Sequence, residues 1–387
     1  MRFIALLPLG LSAFQVAAAQ CTITALGTGK DDAPQLLTAV KACSTVTIPS
    51  STTLNISSPL NMTGLSNKHL NLEGTIKFNP SVTYWSKNGF PFSYQTQITY
   101  WILGGTNLLL DGGGLIDGSG QAWYDAFASD SSLLRPVTLT LYQATNVVVQ
   151  NIRYANSPEW FNFVNGGKNV TFNNVTLSAV STSKNGAVNT DGWDIYLSDT
   201  VTIKNSVINN GDDCVSFKPN TTNVLVSGLS CNGSHGISVG SLGQYAGIYD
   251  IVENITATNI KMSNAQNGAR IKCWAGSGVG SGIVKNITFE FFTETAVENP
   301  VCYETSSSEC SEFPSNTLIQ DIFFTNITGT GTSSTVADLG CSPDSRCSDI
   351  NVNNLSLSYP SGTAKYTCQN VQLSGNSASL FGTCKTT

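Results

Sequence analysis

A short run pairing asparagine with β-branched residues recurs along the chain, and it limits the fold more than any other feature. It reads Thr106-Asn107-Leu108-Leu109-Leu110, Thr145-Asn146-Val147-Val148-Val149, Lys168-Asn169-Val170-Thr171-Phe172, Thr222-Asn223-Val224-Leu225-Val226, Glu253-Asn254-Ile255-Thr256 and Lys285-Asn286-Ile287-Thr288-Phe289. Variants occur at Asp199-Thr200-Val201, Gln320-Asp321-Ile322 and Ser348-Asp349-Ile350. From Asn146 onward the copies stand roughly 23 to 35 residues apart, within the range of solenoid repeats. A β-propeller blade needs roughly 40 or more residues and a leucine-rich repeat carries its own signature, so neither fits. The units read as coils of a single-stranded parallel β-helix, an all-β fold whose coils stack about 4.8 Å apart. Residues one coil apart in sequence then become neighbours in space.

The ends of the solenoid need cover. Asp31-Asp32-Ala33-Pro34 followed by residues 35–42, with Leu36, Leu37 and Val40 on one face, predicts a capped helix over the N-terminal end. No linker or shift of composition follows, so one domain is expected from residue 20 to 387. Residues 1–19 carry Arg2, an apolar core and Ala17-Ala18-Ala19, the pattern of a secretory signal peptide too short to span a bilayer. Secretion agrees with eleven cysteines, for which neighbours along the chain are the expected partners: Cys21 with Cys43, Cys214 with Cys231, Cys302 with Cys310, Cys341 with Cys347, and Cys368 with Cys384. Cys273 is left as a buried thiol. Ten Asn-x-Ser/Thr sequons make N-glycans an expectation, although several fall inside the repeat, where a turn asparagine is the simpler reading. A net charge of −6 argues against nucleic acid or an anionic membrane as partner, and the chain is expected to act as a monomer.

Only 11% of residues are charged, so the concentration of charge in residues 189–241 stands out. Asn189-Thr190-Asp191-Gly192 comes first, then Asn210-Gly211-Asp212-Asp213-Cys214, then Ser234-His235-Gly236, with Arg270-Ile271-Lys272 beyond. Asp191 and Asp212 are 21 residues apart, close to one short coil, and can stack on one face. Asp213 would point away from Asp212 in an ideal strand, so a shared site requires a bend at Asn210-Gly211. Clustered carboxylates raise one another's pKa and so supply an acid and a base together, as glycoside hydrolysis requires. Calcium binding is the other use of such a cluster, but His235 and the Arg270/Lys272 pair would compete with a cation. Hence neither a metal nor another cofactor is expected. Arg270 and Lys272, two apart in a strand, share a face and can grip a substrate carboxylate.

These four motifs, in this order, resemble the signature of the polygalacturonases, glycoside hydrolase family 28, and their form is most similar to the fungal exo-acting members. Endo-acting members typically carry Gln where this chain has Gly211. The resemblance implies a right-handed parallel β-helix and hydrolysis of α-1,4-galacturonosyl linkages of pectin with inversion. It implies polygalacturonate, or a xylogalacturonan, as the substrate. Carried over by motif, Asp212 is the general acid, Asp191 and Asp213 activate water, His235 supports the acid, and Asn189, Arg270 and Lys272 bind substrate. The family's active-site tyrosine has no clear counterpart, the corresponding stretch reading Asn299-Pro300-Val301-Cys302-Tyr303. Stacking on adjacent coils favours carboxyl separations near 5 Å, closer to the retaining range than to the roughly 6.5–9.5 Å of inverting enzymes, so inversion rests on the resemblance alone. Rivals within the family are a xylogalacturonan hydrolase, a rhamnogalacturonan-directed galacturonohydrolase and an endo-polygalacturonase; rivals of another class are a calcium-dependent pectate lyase and a non-catalytic polysaccharide-binding β-helix.

Overall fold

The computed structural model describes residues 19–306 and 314–386, the side chains of 300–306 excepted. The chain winds into a β-helix whose strands pair from coil to coil in one connected 26-stranded network, parallel among the described residues except where Phe90–Pro91 runs antiparallel to Ile98–Asp111. One row of it contains Leu70, Leu110, Val149, Phe172, Ile203, Val226, Ala257, Phe289, Phe324 and Val352 in direct register, one residue per coil. All ten are buried and form one continuous internal stack, in which the rings of Phe289 and Phe324 lie 5.4 Å apart. Truncating such a phenylalanine to alanine costs about 3–5 kcal/mol, because neighbouring coils cannot collapse into the void.

The repeated asparagine marks a corner. Asn107, Asn146, Asn169, Asn223, Asn254 and Asn286 all have φ between +53° and +58°, a left-handed conformation that asparagine tolerates better than most residues. Their amides form ladders: Asn146 Nδ2 donates to Asn107 Oδ1 at 3.1 Å, Asn169 to Asn146 at 2.8 Å, and Asn286 to Asn254 at 2.9 Å. The periodic signal thus reports a turn that must be rebuilt in every coil.

The N-terminal helix spans Ala33–Ala42 and buries Ala33, Leu36 and Val40 against the first coils. Asp31 Oδ1 accepts the Ala33 N–H at 3.1 Å at the helix start, while the Asp32 carboxylate accepts the Gln35 side chain and the backbone N–H groups of Leu26 and Asn55, tying the helix start to the first coil. Two short helices, Val82–Asn88 and Gln121–Phe127, lie in connections where no helical period was visible. Seven residues are too few to display one. Four expected disulfides are present, Cys21–Cys43, Cys214–Cys231, Cys341–Cys347 and Cys368–Cys384, and Cys273 is free and buried. Burial pushes its thiol up to about 12, so it is inert at working pH. The Cys302–Cys310 pairing and all but the last residue of the signal segment lie outside what is described.

Candidate active site

The site forms where the chain passes from one strand to the next. The strands Trp193–Tyr196, Val215–Phe217, Ile237–Leu242 and Asn267–Trp274 stack in register, placing Asp194, Ser216, Ser238 and Arg270 in one row. Asp191, Asp212 and His235 precede the first three of these strands. Arg270 and Lys272 alternate with buried Ala269, Ile271 and Cys273, so they share the outer face as expected.

The bend at Gly211 exists and has identifiable causes. Asn210 donates its amide to the carbonyls of Thr190, Asp212 and Asp213 at 2.9–3.0 Å, which curls the chain back on itself. Gly211 N–H donates to Thr190 Oγ1, and a Cβ at Gly211 would stand 2.4 Å from the Ala187 carbonyl oxygen. Glycine is required here for close approach. The turn is pinned on both sides, by Gly192 N–H donating to Asp213 O and by His235 N–H donating to Asp212 O, each at 2.9 Å. Cys214, next in sequence, is held by its disulfide to Cys231.

As a result Asp191, Asp212 and Asp213 converge, with one carboxylate oxygen of each within 4.8 Å of the others. Their environments differ. Asp213 is 1% exposed; Lys272 Nζ donates to its Oδ2 at 2.8 Å and Ser238 Oγ to its Oδ1 at 2.6 Å. Burial works against its charge, but Lys272 and then Lys218 outweigh it and hold Asp213 at about 2. Asp191 is the opposite case. Burial first, then the charges of Asp194 and Asp212, push it well above the ordinary carboxylate range, which favours its protonated form. Asp212, 16% exposed, accepts its neighbour's N–H at Oδ1, lies 3.1 Å from His235 Nδ1, and accepts Asn189 Nδ2 at Oδ2 at 3.2 Å. The hydrogen bond with Asp212 raises His235 above the usual imidazole value, with burial opposing. The spacing of the acids would also let a cation bridge them, but the Lys272 ammonium already supplies positive charge on Asp213.

The seven residues named from sequence therefore meet in one cleft. Sequence reasoning missed others. Lys218 is buried 3.1 Å from Asp194 beneath the acids, and Asp194 holds it charged against burial. Ser238 and Arg135 also touch the site residues, at Asp213 and Asn189. Lys218 lies four residues past the Asn210–Cys214 motif; Arg135 carried no signal beyond being one of few charges. Tyr303 pairs in backbone register with Ile271, and its side chain lies outside what is described.

Two walls flank the cleft. One is built from residues 90–97 and 243–248, linked by Gln95 Nε2 donating to Gln244 Oε1 and by Tyr94 stacked 3.9 Å from Tyr196 on the floor. The other pairs residues 121–135 with 181–189, through Gln121 with Ser181 and Asp125 with Asn185. On the N-terminal side of Asp212 both walls line a single cavity of about 260 Å³, among whose residues are Gln95, Gln97, Phe127, Arg135, Glu159 and Asn189.

Residues 39–380 match the Glycosyl hydrolases family 28 profile. The chain is 44% identical to the exopolygalacturonase of Cochliobolus carbonum, over 91% of its length and 84% of the relative's. It is 41% identical to exopolygalacturonase X-1 of Emericella nidulans, over 91% and 86%. Among solved structures, the endo-xylogalacturonan hydrolase of Aspergillus tubingensis superposes with a TM-score of 0.84 at 35% identity, covering 95% of this chain and 99% of that one. A polygalacturonase of Erwinia carotovora shares the fold, with a TM-score of 0.72 at 20% identity over 94% and 99%. The solenoid is therefore the right-handed parallel β-helix that the resemblance implied. With the match running from the first helix to the last turn, this chain belongs to glycosyl hydrolases family 28.

Proposed function

We propose that the chain is a secreted, monomeric, N-glycosylated exo-polygalacturonase. Residues 1–19 are its signal peptide and residues 20–387 one catalytic domain. It hydrolyses α-1,4-galacturonosyl linkages of pectic chains from the non-reducing end. The observation that carries this reading is the arrangement along the cleft: carboxylates at the centre, a cationic pair two coils beyond Asp212 and Asp213, and on the other side a cavity lined by residues of both walls. A chain threaded past Arg270 and Lys272 presents its end to the acids rather than passing through. The relatives named exopolygalacturonase support the same activity.

In this mechanism Asp212 gives its proton to the glycosidic oxygen, water attacks the anomeric carbon, and the water's proton passes to Asp213. Lys272 and Ser238 keep Asp213 ionised and oriented as the base, while Asp191, its carboxyl pushed upward by burial, positions the water. His235 shares a hydrogen bond with Asp212 and so can return a proton to it between turnovers. Arg270 binds a galacturonate carboxylate, and Lys272 adds positive charge beside it. No metal enters the reaction.

Chromatography of early products from polygalacturonate tests the reading. Galacturonic acid alone supports it; a ladder of oligomers would sink exo action, and an unsaturated product would mark a lyase. Asp212→Asn should lower turnover by about 10²–10⁴, the usual contribution of a general acid. A second reading, action on xylogalacturonan, is favoured by the likeness to the Aspergillus tubingensis structure. Side-by-side digestion of the two polymers decides between them.

A further inference from the structure

Arg135 lies outside every motif, yet it is only 2% exposed in a chain poor in charge. It stands just before the strand Pro136–Ala155 and lines the cavity beside the acids. Its Nη1 donates to the carbonyls of Pro158 at 2.9 Å and Val188 at 2.8 Å, and its Nη2 to Asn189 Oδ1 at 2.7 Å. The Phe127 ring packs 3.6 Å from its Cζ. One side chain thus fastens two connections that frame the site.

A guanidinium can only donate, and this settles the orientation of the Asn189 amide. Its carbonyl oxygen must face Arg135, so its NH2 is left facing Asp212 Oδ2 at 3.2 Å. The flipped amide would set N–H against N–H at one end and oxygen against carboxylate at the other. Asn189 itself sits at φ +57°, in a turn that cannot slide freely to another pairing. The other oxygen of Asp212 is engaged by the Asp213 N–H and by His235. Oδ2 is therefore the oxygen from which a proton can leave.

We propose that Arg135 is a positioning residue for proton donation: through Asn189 it holds Oδ2 of Asp212 toward the glycosidic oxygen. The proposal rests on Asp212 being the general acid. As the proton passes from Oδ2 to the leaving oxygen, the O–H bond breaks, a new O–H bond forms on the leaving sugar, and negative charge grows on Oδ2. The Asn189 N–H is already aimed at that charge, so no reorganisation is needed during the step.

The test compares leaving groups. Digalacturonate expels a sugar alkoxide, which must be protonated; a nitrophenyl galacturonide expels a phenolate that needs little help. Arg135→Lys keeps the charge but cannot fork between two carbonyls and an amide. It should lower kcat on digalacturonate about 10- to 100-fold, within the range of general acid catalysis, and spare the nitrophenyl substrate, with KM nearly unchanged for both. Equal losses on the two substrates would overturn the proposal, since a merely structural defect cannot distinguish them. If Arg135→Lys does not fold, Asn189→Leu, which removes the amide at similar size without adding a charge, must show the same selectivity. Asp212→Asn on both substrates separates the two ideas. If it too fails to spare the nitrophenyl substrate, the acid assignment falls; if it spares it and Arg135→Lys does not, only the role of Arg135 falls.

Discussion

The bend at Gly211 is where a small perturbation should have a large and calculable effect. A methyl group there would stand 2.4 Å from the Ala187 carbonyl oxygen, against about 3.4 Å for an ordinary contact, so the chain must yield by 3.4 − 2.4 = 1.0 Å. The obstacle is backbone and cannot rotate aside. Asp212 and Asp213 follow immediately and are anchored by hydrogen bonds on both faces, so the displacement passes into the carboxylates. A misplacement of about 1 Å can cost 10²-fold in rate, or about 2.7 kcal/mol of transition-state stabilisation. The strain on the fold should be of similar size, about 1–3 kcal/mol for overpacking. Gly211→Ala should therefore give a folded enzyme, slightly less heat-stable, that releases galacturonate about 10²-fold more slowly at saturating polygalacturonate. Gly211→Gln should be worse, even though the resemblance places Gln here in endo-acting members, because in this chain the Ala187 carbonyl fills the space. Either variant retaining kcat within a small factor of wild type would refute the reasoning, since the acids would then tolerate a moved bend.

Other outcomes follow from the same geometry. Lys272→Met strips Asp213 of the cation that outweighs its burial, so the pKa of the base should rise; the acid limb of the pH–rate profile moves to higher pH and kcat/KM drops about tenfold or more. Glu159, pushed up to about 7 by burial with Arg135 opposing, holds a proton in the folded state that the unfolded chain releases near 4.5. Its contribution is complete below that value and fades as pH rises toward 7, and the raised value of His235 acts in the same sense. Melting temperature followed from pH 4 to 8 should fall with rising pH, and a rise across that window would contradict the assignment. Among the sequons, Asn61 is exposed and its Oδ1 accepts from Thr63 N–H at 3.1 Å and Oγ1 at 2.8 Å, whereas Asn169, Asn254 and Asn286 spend their amide N–H groups on the ladder of the preceding coil. Glycopeptide mass spectrometry of the protein expressed in a glycosylating host should find glycan on Asn61 and none on those three.

The reading of the fold from sequence succeeded where a local rule is repeated. The corner needs φ near +55° in coil after coil, which asparagine fills in most and Thr200, Asp321 and Asp349 in others, so its period survives in the text and gives the solenoid directly. The helices Val82–Asn88 and Gln121–Phe127 occur once each, are two turns long, and left no period to detect. For the site, Asp191, Asp212, Asp213, His235, Arg270 and Lys272 were legible because each sits in a motif whose spacing approximates a coil. Arg135 was not, because it reaches Asn189 from 54 residues away across two connections.

The sequence alone determined the coil period, the corner residue and the seven motif residues of the cleft, and it pointed to the disulfide partners as neighbours along the chain. All of these follow from composition and spacing along a one-dimensional stack. The tertiary structure decided what differentiates those groups. Asp213 is held ionised because Lys272 and Ser238 meet it from later coils, Asp191 is pushed toward its protonated form by burial and its acidic neighbours, and the Asn189 amide faces one way because Arg135 can only donate. Protonation and orientation depend on distance and dielectric, and neither is written into the order of residues.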